Sequence, residues 1–154
     1  MDATIEKLRT CVTLGKARQI DAVAVYEDSP TDERVNEFCQ TLSRSLGKRC
    51  EVRREMWLLN ELRMPQLRGI AAGEAANADL VIISVHHTEG VPGELRDWME
   101  LWITKKARRK AVLLGLFDPV YQGDSGSVRT FLQQAAKRAN AEFLVVSEEK
   151  PDDD

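Results

Sequence analysis

Asp79-Leu80-Val81-Ile82-Ile83-Ser84-Val85 is the stretch that decides the fold of this chain. Its apolar run is nearly continuous, without the alternation of polar and apolar residues that marks a half-exposed strand. Such a composition is typical of a central strand in a parallel sheet, which is buried on both faces. Because helices must then cover both faces, the stretch predicts a three-layer α/β domain.

Strand-like and helix-like patterns alternate on both sides of this stretch. Four more runs rich in aliphatic or β-branched residues predict strands at 21–26, 50–56, 111–117 and 142–147. Apolar residues with helical spacing separate the runs and predict helices around 30–46, 66–77, 92–106 and 128–139. Since right-handed crossovers join consecutive parallel strands, we predict a doubly wound five-stranded sheet of order 2-1-3-4-5, the flavodoxin-like architecture.

The chain length favours one domain with a helical extension before it. The sequence has 154 residues, of which 43% are hydrophobic and 31% charged, enough for one sizeable core. We assign an N-terminal helical extension to 1–20, the flavodoxin-like domain to 21–150 and an acidic tail to 151–154. In the extension, Ile5, Leu8 and Val12 share one helix face. This helix either caps the domain or pairs two subunits.

Composition argues against several classes of partner. The formal net charge of -3 gives no general attraction to nucleic acid or to anionic membranes. The basic run 105–110 has no interleaved aromatic residues and is explained by the preference of cations for helix carboxyl ends. The amino-terminal segment lacks a continuous apolar region, so we predict neither a signal peptide nor a membrane span, and a cytoplasmic location. The three cysteines show no metal-binding spacing and are predicted to be buried, reduced thiols.

An acidic loop follows the first predicted strand, in Tyr26-Glu27-Asp28-Ser29-Pro30-Thr31-Asp32. Open α/β sheets bind ligands outside the carboxyl ends of their strands, near the switch point of the strand order. Ser29 and Pro30 fit the N-cap and first turn of a helix. Adjacent strand residues point to opposite faces, so we expect only one of Glu27 and Asp28 to line the pocket. The candidate pocket comprises Glu27, Asp28, Ser29, Thr31, Ser84, His86, His87, Thr88 and Asp118.

The stretch Glu27-Asp28-Ser29-Pro30-Thr31-Asp32 resembles the first-strand motif of two-component receiver domains. The resemblance implies that Glu27 and Asp28 help to hold a magnesium ion. In receivers the third strand ends in the aspartate that accepts a phosphoryl group, and here Ser84 stands at that position. A serine hydroxyl is a weak nucleophile unless a base activates it. We therefore expect a receiver-like binding or regulatory domain without aspartyl phosphorylation.

A second resemblance covers Ala78 to Trp102, with Ala78-Asp79-Leu80-Val81-Ile82-Ile83-Ser84 followed by Val91-Pro92-Gly93-Glu94-Leu95-Arg96-Asp97. This region is similar to NAD(P)H-dependent flavin reductases of flavodoxin-like fold. The resemblance implies an FMN site in which Thr88, Glu89 and the backbone of the same loop contact the isoalloxazine ring. The alternative function is therefore that of a flavin-dependent oxidoreductase.

The charge of the pocket discriminates between magnesium and FMN as its ligand. The FMN phosphate would lie at the amino terminus of the first helix, beside the acidic loop. One carboxylate about 5 Å from a phosphate costs roughly 3 kcal/mol at an effective dielectric of about 20. The loop and first turn supply four carboxylates, on Glu27, Asp28, Asp32 and Glu33. We therefore favour magnesium over FMN as the cofactor.

A third hypothesis is a structural, homo-oligomeric domain. Leu95, Trp98, Met99, Trp102 and Ile103 form a wide apolar stripe with helical spacing. Such a stripe is ordinarily the core face of a helix. The two tryptophans together with Leu101 exceed what one sheet-facing stripe needs, which leaves a homodimer through the Trp98 and Trp102 helix, or through the N-terminal helix, as the alternative.

Overall fold

A computed structural model describes residues 19–48, 50–86, 90–106, 110–117 and 126–147. The strands are β1 (Gln19–Tyr26), β2 (Glu51–Leu58), β3 (Leu80–Ser84), β4 (Val112–Phe117) and β5 (Glu142–Ser147). The helices are α1 (Ser29–Leu46), α2 (Pro65–Ala76), α3 (Gly93–Lys106) and α4 (Gly126–Ala139), with a short 3₁₀ helix at Leu59–Arg63. The predicted N-terminal helix, up to residue 18, and the acidic tail lie outside the described residues.

The five strands form one sheet of order β2-β1-β3-β4-β5, and every pairing is parallel. This arrangement confirms the predicted flavodoxin-like fold. In the register of the sheet, Tyr26 of β1 lies beside Ser84 of β3, which in turn lies beside Leu116 of β4. The carboxyl ends of the three central strands therefore meet at one edge, where β1 and β3 deliver the loops of the candidate pocket.

β1 and β2 each extend two residues beyond one predicted end, because strand pairing continues there, and the other strand boundaries agree with the prediction to within one residue. β1 begins at Gln19, which pairs with Glu51, and β2 continues to Leu58, which pairs with Tyr26. The 3₁₀ helix after β2 was not predicted. Its first turn is held by Glu61, whose Oε1 accepts a 2.8 Å hydrogen bond from the backbone N–H of Leu58. A local side-chain contact therefore turns the chain directly at the strand end.

Two apolar layers flank the sheet. On one face, α1 contributes Val35, Phe38, Cys39 and Leu42 to a buried cluster with side chains of β1, β3, β4 and β5, and partly buried residues of β2 pack against it. On the other face, α2, α3 and α4 pack against Val23, Val81, Ile83 and Leu113. The nearly complete burial of β3 from both sides agrees with its unbroken apolar sequence. Cys39 and Cys50 are buried and free, as predicted, whereas Cys11 lies outside the described residues.

The apolar stripe of α3 faces the core of its own chain. Trp98 and Trp102 are fully buried, and the Trp102 indole N–H donates a 3.2 Å hydrogen bond to the carbonyl oxygen of Ala75 in α2. Neither indole therefore presents surface to a second subunit, and the stripe is accounted for as core. Dimerisation itself stays a prediction. Among the described residues, no helix has both the length and the apolar character needed to span a bilayer.

We predict that Trp102→Phe lowers the free energy of unfolding by about 1–3 kcal/mol, because it removes part of a buried ring and the hydrogen bond to Ala75. Urea unfolding followed by circular dichroism measures the change. Thr104→Ala, at an exposed position of the same helix, is the control and is expected to stay within about 0.5 kcal/mol of the wild type. Equal effects of both variants would contradict the assignment of Trp102 to the core.

Candidate functional site

Asp28 is the N-cap of α1. The sequence had predicted the N-cap one residue later, at Ser29. Asp28 has extended backbone angles, and its Oδ1 accepts a 3.2 Å hydrogen bond from the backbone N–H of Thr31, the third residue of the helix. Aspartate caps helices as well as serine does, and the side chain must belong to the last non-helical residue. Ser29 already has helical geometry and is exposed in the first turn.

Thr31 is the centre of this loop, and its side chain is fully buried. Its hydroxyl oxygen accepts hydrogen bonds from the backbone N–H groups of Glu27 and Asp28, at 2.8 and 2.9 Å. The hydroxyl proton faces the carbonyl oxygen and Oδ1 of Asp28, each 3.0 Å from Oγ1. Together with the bond from the Thr31 backbone to Asp28, this forms a reciprocal capping box. Thr31 therefore shapes the loop and offers no free polar atom to a ligand.

Ser84 ends β3 and ties that strand to α1. Its side chain is fully buried, and its Oγ donates a 2.9 Å hydrogen bond to the carbonyl oxygen of Thr31. Activation of a serine nucleophile requires a base that removes the hydroxyl proton. Here the proton is directed at a backbone carbonyl, which is not such a base. The position at which the receiver resemblance predicts a phosphoryl acceptor thus holds a structural hydrogen bond in this chain.

His86 joins the loop that follows β3 to the loop that follows β1. Its backbone N–H donates to Oε1 of Glu27 at 2.6 Å, and its Nε2 lies 2.7 Å from Oδ2 of Asp28. Both carboxylates therefore reach the same residue, which corrects the expectation that only one would line the pocket. The alternation of side chains holds only within a strand, and β1 ends at Tyr26.

The contacts of Asp28 determine its own charge state and the position of the hydrogen between it and His86. Partial desolvation raises the pKa of its carboxyl, but hydrogen bonds from the backbone and hydroxyl of Thr31 and from His86 outweigh it, so that the pKa lies below its ordinary value. Asp28 is therefore ionised at neutral pH and acts only as an acceptor. It follows that Nε2 of His86 carries the hydrogen that faces Asp28, in the neutral or the protonated ring.

The predicted magnesium ligands are engaged with donors of the protein itself. Glu27 accepts from the His86 backbone, and Asp28 accepts from Thr31 and His86. Within the ranges that the structure describes, no three histidine, cysteine, aspartate or glutamate side chains converge in a way that could hold a metal ion. A magnesium ion bound here would have to use the carboxylate lone pairs that remain and complete its shell with water. Magnesium binding stays a prediction.

The structure brings together five of the predicted site residues, namely Glu27, Asp28, Thr31, Ser84 and His86. Ser29 lies beside them and is exposed. The other predicted residues, His87, Thr88, Glu89 and Asp118, lie outside the described residues, as does the loop assigned to FMN. Sequence reasoning missed the role of Thr31 as the centre of the loop. The signal was present in the Asp28-x-x-Thr31 spacing, which is that of an N-cap and the residue it caps.

A separate groove of about 340 Å³ lies at the opposite edge of the sheet. Its lining combines the first residues of β1, three residues of β2 and the carboxyl end of α2, with Asp21, Arg53, Glu55, Glu74 and Asn77 among the polar residues. Sheets of this class bind ligands at the other edge, outside the carboxyl ends of the strands. We therefore keep the loops after β1 and β3 as the candidate site.

No known protein family matches the chain, and no characterised protein resembles it significantly in sequence. The assignment of the chain therefore ends at the flavodoxin-like fold.

We predict that Asp28→Ala lowers the free energy of unfolding by about 1 kcal/mol, because the variant loses the N-cap of α1. Ser29→Ala is the matched control, one position further along the chain, and is expected to change stability by less than about 0.5 kcal/mol. Urea unfolding at neutral pH measures both. A larger loss of stability in Ser29→Ala than in Asp28→Ala would instead identify Ser29 as the N-cap.

The lowered pKa of Asp28 predicts a pH dependence. A carboxyl whose pKa falls on folding stabilises the native state above its unfolded-state pKa, near 3.8, and this contribution is lost as the pH falls through the lower folded-state value. The stability difference between wild type and Asp28→Asn, which keeps a capping side chain, should shrink between about pH 5 and about pH 2. Urea midpoints over this range measure it. A difference that grows on acidification would contradict the assigned contacts.

Proposed function

We propose that this chain is a receiver-like binding or regulatory domain that works without accepting a phosphoryl group. The observation that carries the proposal is the buried hydrogen bond from Ser84 to the carbonyl oxygen of Thr31. A phosphoryl acceptor must be reachable by the phosphodonor, must lose its proton and must sit beside a metal ion. The Ser84 hydroxyl is fully buried and is held by the backbone of α1. The function therefore rests on recognition and not on phosphoryl chemistry.

The contacts of Glu27 and Asp28 support a preformed surface. In a phosphorylated receiver these acids would be available to a metal ion, whereas here they join the two loops through His86. A hydrogen bond to a charged group, such as that from the His86 backbone to Glu27, is worth about 1.5–3 kcal/mol. The exposed contact between His86 and Asp28 is worth at most about 1 kcal/mol, because solvent screens it. A ligand that displaces both would have to replace these contributions. The surface at the carboxyl ends of β1 and β3 is thus suited to a partner that docks on the intact loops.

The flavin-reductase alternative requires a phosphate at the start of α1. Helix N-termini bind phosphate through unpaired backbone N–H groups. In this chain the Asp28 carboxylate already accepts from the Thr31 N–H, and it would repel a phosphate placed there. These contacts favour the regulatory proposal over an FMN-dependent enzyme.

We predict that acetyl phosphate with magnesium leaves no phosphate on the protein, because the Ser84 hydroxyl is buried and has no base. Intact-mass measurement, with a known receiver domain as the positive control for the reagent, tests this. A phosphate adduct that disappears in Ser84→Ala would overturn the proposal.

The same purified protein should be colourless and should not quench FMN fluorescence at micromolar flavin. A yellow preparation would instead favour the oxidoreductase.

A further inference from the structure

β2 is an edge strand whose outer side pairs with no strand in the described part of the chain. It lies at one end of the order β2-β1-β3-β4-β5. An exposed strand edge is a template for pairing with another chain, and proteins commonly block it with prolines, bulges or very short strands. β2 has none of these devices, since its eight residues contain no proline and pair with β1 in unbroken register.

The exposed side chains of β2 carry charges of both signs. They are Glu51, Arg53, Arg54 and Glu55, whose charges sum to zero. Charged side chains that lie opposite each other on two strands stabilise the pairing when they differ in sign and destabilise it when they are alike. Whether these side chains block or favour a partner strand therefore depends on the register in which that strand pairs.

One antiparallel register makes β2 complementary to a second copy of itself. A two-fold axis at Arg54 places Arg53 of one copy opposite Glu55 of the other, on both sides of the axis. On the other face of the sheet, which is the face of α1, the same axis places Val52 opposite Met56. All but the last residue of the strand then has an opposite residue.

The neighbouring registers bring like charges together. An axis at Arg53 would place that residue opposite its own copy and Glu51 opposite Glu55. An axis at Glu55 would place that carboxylate opposite its own copy and Arg53 opposite Trp57. Among the registers that pair at least five residues of the strand, the axis at Arg54 alone gives two pairs of opposite charge. Arg54 then faces its own copy, but its exposed side chain is free to turn into solvent.

The two side chains that would form these pairs have room around them. Arg53 and Glu55 line the groove of about 340 Å³ between the starts of β1 and β2 and the carboxyl end of α2. Within the described ranges neither side chain forms an ion pair, and Arg53 donates a 3.3 Å hydrogen bond to Oε1 of Gln19. Both charges are therefore available to a partner strand without the loss of an internal salt bridge.

We propose that two copies of this chain associate by antiparallel pairing of their β2 strands, with the two-fold axis at Arg54. The five-stranded sheets of the two copies then form one continuous sheet. Backbone hydrogen bonds join the strands, and the two Arg53–Glu55 pairs select the register. This interface is separate from the tryptophan stripe of α3, which is buried in the core of each copy.

Charge reversal tests the proposed pairs, with the full chain followed by sedimentation. Glu55→Arg turns both pairs into contacts between arginines and should raise the dissociation constant of the dimer at least about tenfold. Adding Arg53→Glu to this variant restores opposite charges and should return the constant to within about threefold of the wild type. Glu142→Arg changes the net charge equally at an exposed position of β5, the other edge strand, and should leave the constant unchanged.

Single cysteine substitutions test the register. Opposite Cα atoms in an antiparallel pair lie about 4.5–5.5 Å apart, a distance that a disulfide bridges. Arg54→Cys should therefore form a disulfide-linked dimer on mild oxidation, with the link at position 54 located by peptide mass spectrometry. Arg53→Cys should not form this link, because the two copies of position 53 are diagonal neighbours about 7–8 Å apart.

Each result decides the proposal. A wild type that is still monomeric at about 0.5 mM would overturn it, because even a millimolar association would be visible there. A dimer that Glu55→Arg leaves unchanged, or that the added Arg53→Glu does not restore, would lie on another surface and also overturn it. A link at position 53 in place of 54 would contradict the register. If Glu55→Arg prevents folding, Glu55→Gln replaces it and should give a smaller rise in the dissociation constant.

Discussion

The hydrogen bond between Ser84 and the carbonyl oxygen of Thr31 is the constraint on which the candidate site depends. It joins the end of β3 to the first turn of α1, and Thr31 in turn holds the two residues that precede it. Because both side chains are fully buried, the polar groups involved cannot be left unpaired without a cost of about 1–3 kcal/mol each. This junction holds the first turn of α1, and with it the acidic loop, against the end of β3.

The contacts around this junction give the acidic residues Glu27 and Asp28 a structural role. In isolation, paired carboxylates after a strand suggest a metal site, because hard cations prefer oxygen ligands. Here the Glu27 carboxylate accepts a hydrogen bond from the backbone N–H of His86, and the Asp28 carboxylate contacts the imidazole ring of the same residue. The carboxylates thus act as acceptors in a bridge between two loops.

The two faces of the sheet are covered unequally by the described helices. Three helices lie on one face and use both tryptophans of α3 as core, whereas α1 lies on the other. The inner side chains of β4 and β5 are buried on the same face as α1.

The sequence alone determined the parallel sheet, its strand order and the helices between the strands, because unbroken apolar runs and helical spacing are local signals of burial. It also located the acidic loop and named Thr31, Ser84 and His86 as its neighbours. Only the tertiary structure decided what these residues do. The use of Ser84 as a donor to α1, and of both carboxylates as acceptors for His86, arises from contacts between residues more than fifty positions apart. Such contacts depend on how the strand ends converge, which residue types and local spacing do not encode.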